Sequence, residues 1–186
     1  EAQNYATATD SHNTAIGYFA GNQVTTGVQN TFVGSLSGDA LTDADKNVAL
    51  GFATLGSDTL GSKSTAVGDN ALATQNFTTA TDSFNVAVGF EAAARITTGV
   101  QNTIIGALAG DQLTDADFNV AVGYNSLTAN TLGSRSTAIG HDALANQNYT
   151  TATDSYNTAV GQSAGFSVTT GTNNTLIGGQ AGDAIQ

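Results

Sequence analysis

The sequence predicts an all-β protein, folded as a parallel β-solenoid with 17-residue coils. Two observations predict this class. A five-residue phrase recurs ten times, in which a small polar and a β-branched residue precede two mostly apolar residues and a glycine. The phrases are evenly spaced, and their glycines are Gly17, Gly34, Gly51, Gly68, Gly89, Gly106, Gly123, Gly140, Gly161 and Gly178. Short repeats of nearly fixed length are typical of solenoids, in which each unit packs only on its neighbours.

A longer period is superimposed on the short one. The 17-residue step between glycines lengthens to a 21-residue step after Gly68 and again after Gly140, which makes a 72-residue super-repeat. We therefore predict a single repeat array over residues 1–186, with super-repeats at about 10–81 and 82–153 and a partial one at 154–186. The chain has no Met, and Gln3, Asn4 and Tyr5 match interior segments, so we expect it to be a piece of a longer fibre.

Each phrase predicts a strand that is apolar on both faces. The residue before the glycine is a branched aliphatic in all ten phrases, from Ile16 to Ile177, and Thr or Val stands two positions earlier. β-branched residues favour strands, and residues two apart on a strand share a face. The residue between them, on the opposite face, is Ala in seven phrases and Phe32, Ile104 or Leu176 in the others.

Two apolar faces require two partners. We expect the branched aliphatics to fill the interior of the coil. We expect the column of Ala residues, with Phe32, Ile104 and Leu176 as its larger members, to pack against other copies of the chain. Self-association is part of the prediction, because burying apolar surface stabilises a contact by roughly 25 cal/mol per Å².

The two ends of the phrase predict corners. The first residue is Asn in eight phrases and Ser at Ser64 and Ser136. Stacked Asn side chains hydrogen-bond from layer to layer in cross-β structures, so we assign the Asn column a structural role at a corner of the coil. The glycine predicts a turn with positive φ or a close approach of two backbones.

The 21-residue steps predict loops. Four extra residues fall within each of the segments 75–83 and 147–155, and we expect them to bulge from the solenoid. With coils rising roughly 4.8 Å each, such loops recur every ~19 Å and form rings in an oligomer. Candidate binding residues in these loops are Phe77, Thr81, Asp82, Tyr149, Thr153 and Asp154.

Composition excludes several classes of function. A formal charge of −11 and a pI near 4.1 exclude nucleic acid as a partner, since binding phosphates requires a basic surface. The chain has no Cys, and no apolar run is long enough to enter a membrane. Because no catalytic or cofactor motif is present, we expect neither an enzyme nor a cofactor.

The acidic segments 39–45 and 111–117 have two interpretations. Clustered carboxylates suit Ca²⁺, but neither segment matches a calcium-loop motif, so we interpret them as solvated turns without a metal. The aromatic residues that follow phrase glycines, Tyr18, Phe52, Phe90 and Tyr124, also have two interpretations. They cover the edge of the coil or stack on sugar rings.

The phrase resembles the repeats of trimeric autotransporter adhesin heads and of phage tail fibres. The resemblance is carried by Asn-Thr-Ala-Val-Gly-Gln-Ser-Ala-Gly at 157–165, followed by Thr-Thr-Gly-Thr-Asn-Asn-Thr at 169–175, and it covers essentially the whole chain. It implies a homotrimer of left-handed β-rolls or β-helices outside the cell or on a virion. Such a fibre attaches its owner to a receptor or glycan on a host or other surface.

Two other functions remain open. The first is binding to ice or a crystal surface, suggested by aligned threonines at Thr25, Thr42, Thr59, Thr97, Thr114 and Thr131. The second is the passive stalk of an enzyme whose catalytic part lies elsewhere.

Overall fold

The computed structural model describes residues 10–185, and over that range the chain is an all-β parallel solenoid of ten coils without a helix. The predicted fold class and coil length are therefore confirmed. Gln3, Asn4 and Tyr5, which support the expectation of a longer fibre, lie outside the described residues.

Every phrase forms a short strand, and four two-residue strands accompany the 21-residue coils. In chain order the strands are β1 Thr14–Ile16, β2 Thr31–Val33, β3 Val48–Leu50, β4 Gly61–Ser62, β5 Thr65–Val67, β6 Thr81–Asp82, β7 Val86–Val88, β8 Thr103–Ile105, β9 Val120–Val122, β10 Gly133–Ser134, β11 Thr137–Ile139, β12 Thr153–Asp154, β13 Thr158–Val160 and β14 Thr175–Ile177. The ten three-residue strands form one sheet in chain order, while β4 pairs with β6 and β10 with β12.

The strands pair in register, so equivalent residues of successive repeats lie side by side. Thr14 pairs with Thr31 of the next coil, and Thr65 pairs with Val86 across the first 21-residue coil. Four extra residues therefore leave the main sheet undisturbed. Each position of the phrase becomes a column of side chains along the solenoid axis.

The two faces of the sheet are the reverse of the expectation from sequence. The middle residue of the phrase points into the coil: Ala87 is 0% exposed, Phe32 1% and Ile104 0%. The branched aliphatic points outward, and Ile105 and Ile139 are 39% and 38% exposed. The assignment of the aliphatic column to the interior, and of the Ala column to a partner, is wrong.

The reason is the narrowness of the coil. The wall opposite the sheet is formed by the fourth residue after each phrase glycine. In four of the coils whose sheet residue is Ala, this residue is a buried Leu, namely Leu55, Leu72, Leu127 and Leu144. Where the sheet presents Phe32, the opposite wall is glycine, because a Cβ at Gly21 or Gly38 would press against the Phe32 ring. Large and small residues thus alternate to fill one thin core.

The Asn column forms the predicted corner, but its side chains bond mainly to backbone groups rather than to one another. Nδ2 of Asn102 donates to the Ala116 carbonyl at 2.8 Å, and its Oδ1 accepts the backbone N–H of Asn119, in the next coil, at 2.9 Å. Asn119 repeats both bonds with Gly133 and Ser136. The ladder therefore runs mainly from side chain to backbone, and it satisfies polar groups that are fully buried.

The phrase glycines meet both predicted requirements. Their φ angles lie between +123° and +142° in all ten coils, a range that residues with a Cβ rarely adopt. A Cβ at Gly106 would also collide with the backbone of Gly123 in the next coil. The coils approach so closely at this corner that only glycine fits.

We expect Gly106→Ala to lower the free energy of unfolding by about 3 kcal/mol, because it combines an unfavourable φ with a backbone collision. Gly179→Ala is the matched control, since a Cβ at Gly179 meets nothing within 4 Å. Urea unfolding followed by circular dichroism measures both. Equal losses in the two variants would contradict this account of the corner.

Candidate functional site: the outward face of the sheet

The outward side of each coil has four positions, and all of them carry a side chain except Gly179. In the third coil these are Lys46, Val48, Leu50 and Phe52, and the residues that alternate with them up to Leu50 are buried. Lys46 (φ 59°) and Gly51 (φ 142°) turn the chain at the two ends of the strand. The outward face is therefore a four-column array bounded by two corners.

The face has two edges, which we name by their columns. The leading column is the residue before each phrase: His12, Gln29, Lys46, Lys63, Phe84, Gln101, Phe118, Arg135, Tyr156 and Asn173. The trailing column is the residue after each phrase glycine: Tyr18, Ser35, Phe52, Asp69, Phe90, Ala107, Tyr124, His141, Gln162 and Gly179. The Thr/Val and aliphatic columns lie between them.

The outward face is large and apolar. Of fourteen large apolar side chains exposed among residues 10–185, eleven lie in its leading, aliphatic and trailing columns: Ile16, Tyr18, Phe52, Phe84, Phe90, Ile105, Phe118, Tyr124, Ile139, Tyr156 and Ile177. Nine steps of roughly 4.8 Å and a width of about 20 Å give the whole four-column face, including its Thr and charged side chains, an area of about 900 Å². Monomeric proteins rarely leave apolar patches larger than a few hundred Å² uncovered.

The leading column carries basic and aromatic side chains that contact one another. Lys63 Nζ lies 5.1 Å from the Phe84 ring centroid, and the Arg135 guanidinium lies 4.6 Å from that of Phe118 and 5.9 Å from that of Tyr156. Cation–π contacts of this kind fix the long side chains along the edge. The sequence showed Lys63 and Arg135 one super-repeat apart, but their role was not recognised.

The predicted loops are present, but the longest exposed run in each loop is three consecutive residues, at its tip. Residues 78–80 and 150–152 are exposed, whereas Phe77 and Tyr149 are each only 5% exposed. Phe77 packs beside Gly61, and the Tyr149 hydroxyl donates to the Gly171 carbonyl at 2.7 Å. The rings of Phe77 and Tyr149 therefore anchor the loops rather than face a ligand.

The other four candidate residues lie in the short strands at the loop ends. Asp82 pairs with Lys63 at 2.5 Å and Asp154 with Arg135 at 3.0 Å, all four side chains being partly exposed. Thr81 and Thr153 donate hydrogen bonds to carbonyls two residues earlier, which shapes the loop tips. That these residues bind a ligand stays a prediction.

A buried polar cluster supports each loop, and sequence reasoning missed it. The shorter Ser64 replaces the corner Asn, and Gln75 of the following coil supplies an amide in its place. Gln75 Nε2 donates to Ser64 Oγ at 3.0 Å and to Asp58 Oδ2 at 2.6 Å, while its Oε1 accepts from Asn85 Nδ2 at 2.9 Å. Gln147 bonds Ser136 and Asn157 in the same way. In the sequence, the signal of this cluster is that Ser replaces the corner Asn only where a Gln follows 11 residues later.

Four of the six carboxylates in the acidic segments, those of Asp43, Asp45, Asp115 and Asp117, accept hydrogen bonds from the preceding coil. Asp45 and Asp117 each accept a backbone N–H at 2.7 Å, and Asp115 accepts the Thr98 hydroxyl at 2.7 Å. No group of three His, Asp or Glu side chains able to hold a metal ion occurs among residues 10–185.

The aligned threonines are also committed to neighbouring coils. Thr42 Oγ1 donates to the Thr59 carbonyl at 3.1 Å, and Thr114 Oγ1 donates to the Thr131 carbonyl at 3.1 Å. Thr59 repeats the pattern with the Phe77 carbonyl at 2.9 Å. Their hydroxyl protons hold the solenoid together instead of facing solvent.

Stacked coils, one thin core and a broad apolar face define the class of this chain as a β-solenoid repeat protein. No protein-family model, no curated protein and no solved structure matches it. Within residues 10–185 there is no helix that could cross a membrane.

Burial raises the pKa of the Asp117 carboxyl above its usual value of 3.8; the hydrogen bond from Val100 opposes this shift, and the nearby charge of Asp115 adds to it. The folded chain thus holds this proton more tightly than the unfolded chain. Ionisation of Asp117 therefore reduces stability as pH rises from 3.8 through the raised pKa.

We expect Asp117→Asn to remove this penalty while an amide oxygen still accepts the Val100 N–H. Relative to the wild type, the variant should gain stability as pH rises from below 3.8 to neutral, and the gain should be constant above the raised pKa. Thermal melting at a series of pH values measures the difference. A difference that shrinks with rising pH would contradict the assignment.

Proposed function

We propose that this chain is a structural and receptor-binding segment of an extracellular trimeric fibre, either a phage tail fibre or a cell-surface adhesin. One observation carries the proposal: by the strand spacing, the solenoid leaves uncovered a face of about 900 Å², along which an unbroken column of branched aliphatic residues runs. A standard protein interface buries about 800 Å² on each partner, so the face suffices for a stable contact.

Three copies of the chain cover these faces when they stand parallel around a common axis. The flat sheet repeats every coil, so contacts made at one level recur at the next and the assembly is a rod. The trimer number and a left-handed coil follow from the resemblance to adhesin heads and tail fibres, and both belong to this proposal. The face that contacts the other copies is the one with the branched aliphatics, because the Ala column lies inside the coil.

The loop tips supply the attachment surface. Residues 78–80 and 150–152 are exposed and stand one super-repeat apart, so a trimer carries two rings of three tips. Each tip stands on a buried support built around Phe77 or Tyr149. A rigid mount for an exposed loop lowers the entropic cost of binding a receptor or glycan.

One observation supports this function over binding to ice. Five of the six threonines that suggested an ice-binding surface donate their hydroxyl protons to carbonyls of adjacent coils. The passive stalk of an enzyme would have the same rod shape. The two functions differ at the loop tips, because a stalk needs no attachment surface.

We expect the wild-type chain to have the mass of three copies in light scattering at micromolar concentration. Ile105→Lys should yield monomers with an unchanged β-sheet spectrum, because it places a charge in the aliphatic column at a side chain that is 39% exposed in the single chain. Ala152→Lys, at an exposed loop tip, is the matched control and should leave the assembly intact. A monomeric wild type would refute the proposal.

Replacing both loop tips, residues 78–80 and 150–152, with Gly-Ser-Gly tests the attachment role. Binding to host cells or to a glycan array should fall at least tenfold, while the trimer and its melting temperature stay unchanged, since these residues make up the exposed parts of the loops. Replacing one tip alone should give an intermediate loss. Full binding by the double replacement would remove the loops from the function.

A further inference from the structure

We propose that neighbouring copies meet edge to edge and in register, with the leading column of one copy against the trailing column of the next at the same coil level. This inference rests on the self-association proposed above and adds the residues that fix its geometry. The partner is a second copy of this chain, and the contact joins two different edges.

Symmetry requires equal levels. When parallel copies surround a common axis, each one offers its leading edge to one neighbour and its trailing edge to the other. Such a head-to-tail contact closes into a ring only if no axial shift accompanies the rotation, because any shift produces an open helix. A closed trimer therefore places each coil against the equivalent coil of its neighbour.

Four of the ten pairs of residues that meet at equal levels are complementary. They lie in the third, fourth, fifth and seventh coils and are Lys46 with Phe52, Lys63 with Asp69, Phe84 with Phe90, and Phe118 with Tyr124. The first is a cation–π pair, the second an ion pair, and the next two are aromatic pairs. The charged pair at the fourth coil lies next to the aromatic pair at the fifth.

Other registers lose this match. A shift of one coil places Phe84 against Asp69 in one direction and against Ala107 in the other. The same shifts place Phe118 against Ala107 or His141, so both aromatic pairs disappear in either case. The register shifted by one coil in one direction still pairs Lys46 with Asp69 and Lys63 with Phe90. The preference for equal levels therefore comes from closure and from the Phe84–Phe90 and Phe118–Tyr124 pairs.

In the single chain, the Phe84 and Phe90 rings and the Asp69 carboxylate remain accessible. Phe84 and Phe90 are 49% and 50% exposed, and no donor among residues 10–185 reaches the Asp69 carboxylate. Lys63 is held at the edge by Asp82 and the Phe84 ring. In a chain of net charge −11, three of the four Lys and Arg residues stand in the leading column, opposite the carboxylate of the trailing one.

Cysteine cross-linking tests the register, because the chain has no cysteine of its own. Phe84→Cys with Phe90→Cys is the in-register variant, and Phe84→Cys with Tyr124→Cys is its matched control, displaced by two coils or about 9.6 Å. After treatment with a short bismaleimide, denaturing gels should show covalent dimers and trimers, and nothing larger, for the first variant. The control should cross-link at least tenfold more slowly.

Light scattering on the same samples separates the two proposals. A trimer that cross-links equally well in both variants, or through Phe84→Cys alone, overturns the register and leaves the fibre proposal standing. A monomeric wild type overturns both. If either aromatic substitution prevents assembly, Phe118→Cys with Tyr124→Cys against Phe118→Cys with Phe90→Cys repeats the comparison two coils further along, and cross-linking without register preference there overturns the proposal.

Discussion

The buried corner Asn is the constraint on which the rest of the structure depends. Its carbonyl oxygen accepts a backbone N–H of the next coil, and its amide donates to a carbonyl near the entry of that coil, as in Asn102. A 17-residue coil is thin, so its buried backbone groups need such side-chain partners at the corner. Because each Asn is bonded to the adjacent coil, the spacing and register of the coils are fixed together.

The thin coil also decides which side chains are inside. Its interior accepts Ala from the sheet, and a larger residue such as Phe32 only where glycine stands opposite. The bulky aliphatics therefore point outward, and the apolar surface that would be the core of a thicker fold becomes an uncovered face. The self-association that we propose thus has its origin in the coil width, since burial of this apolar surface requires a partner outside the coil.

The super-repeat marks where the regular corner is interrupted. Ser64 is too short to make the bonds of the corner Asn, and Gln75 from the longer coil takes over its role together with the buried Asp58. The extra residues that allow this then emerge as an exposed loop. Replacement of the corner Asn by Ser and Gln therefore accompanies one loop in each complete super-repeat, and this loop is a candidate attachment point.

The sequence by itself determined the solenoid, its coil length, the strand positions, the Asn and Gly corners and the location of the loops. These features are periodic, and stacking in register turns a periodic sequence into columns of known direction. It did not determine which face of the strand points into the coil. The column that contains Ala87 and the column of branched aliphatics are both apolar, so periodicity cannot distinguish them. The width of the coil and the residues opposite the sheet decide which face points inward, and both are known only from the tertiary structure. The same limit explains why Phe77 was expected at a binding surface and is instead buried, since its burial depends on a neighbouring coil that the loop segment does not encode.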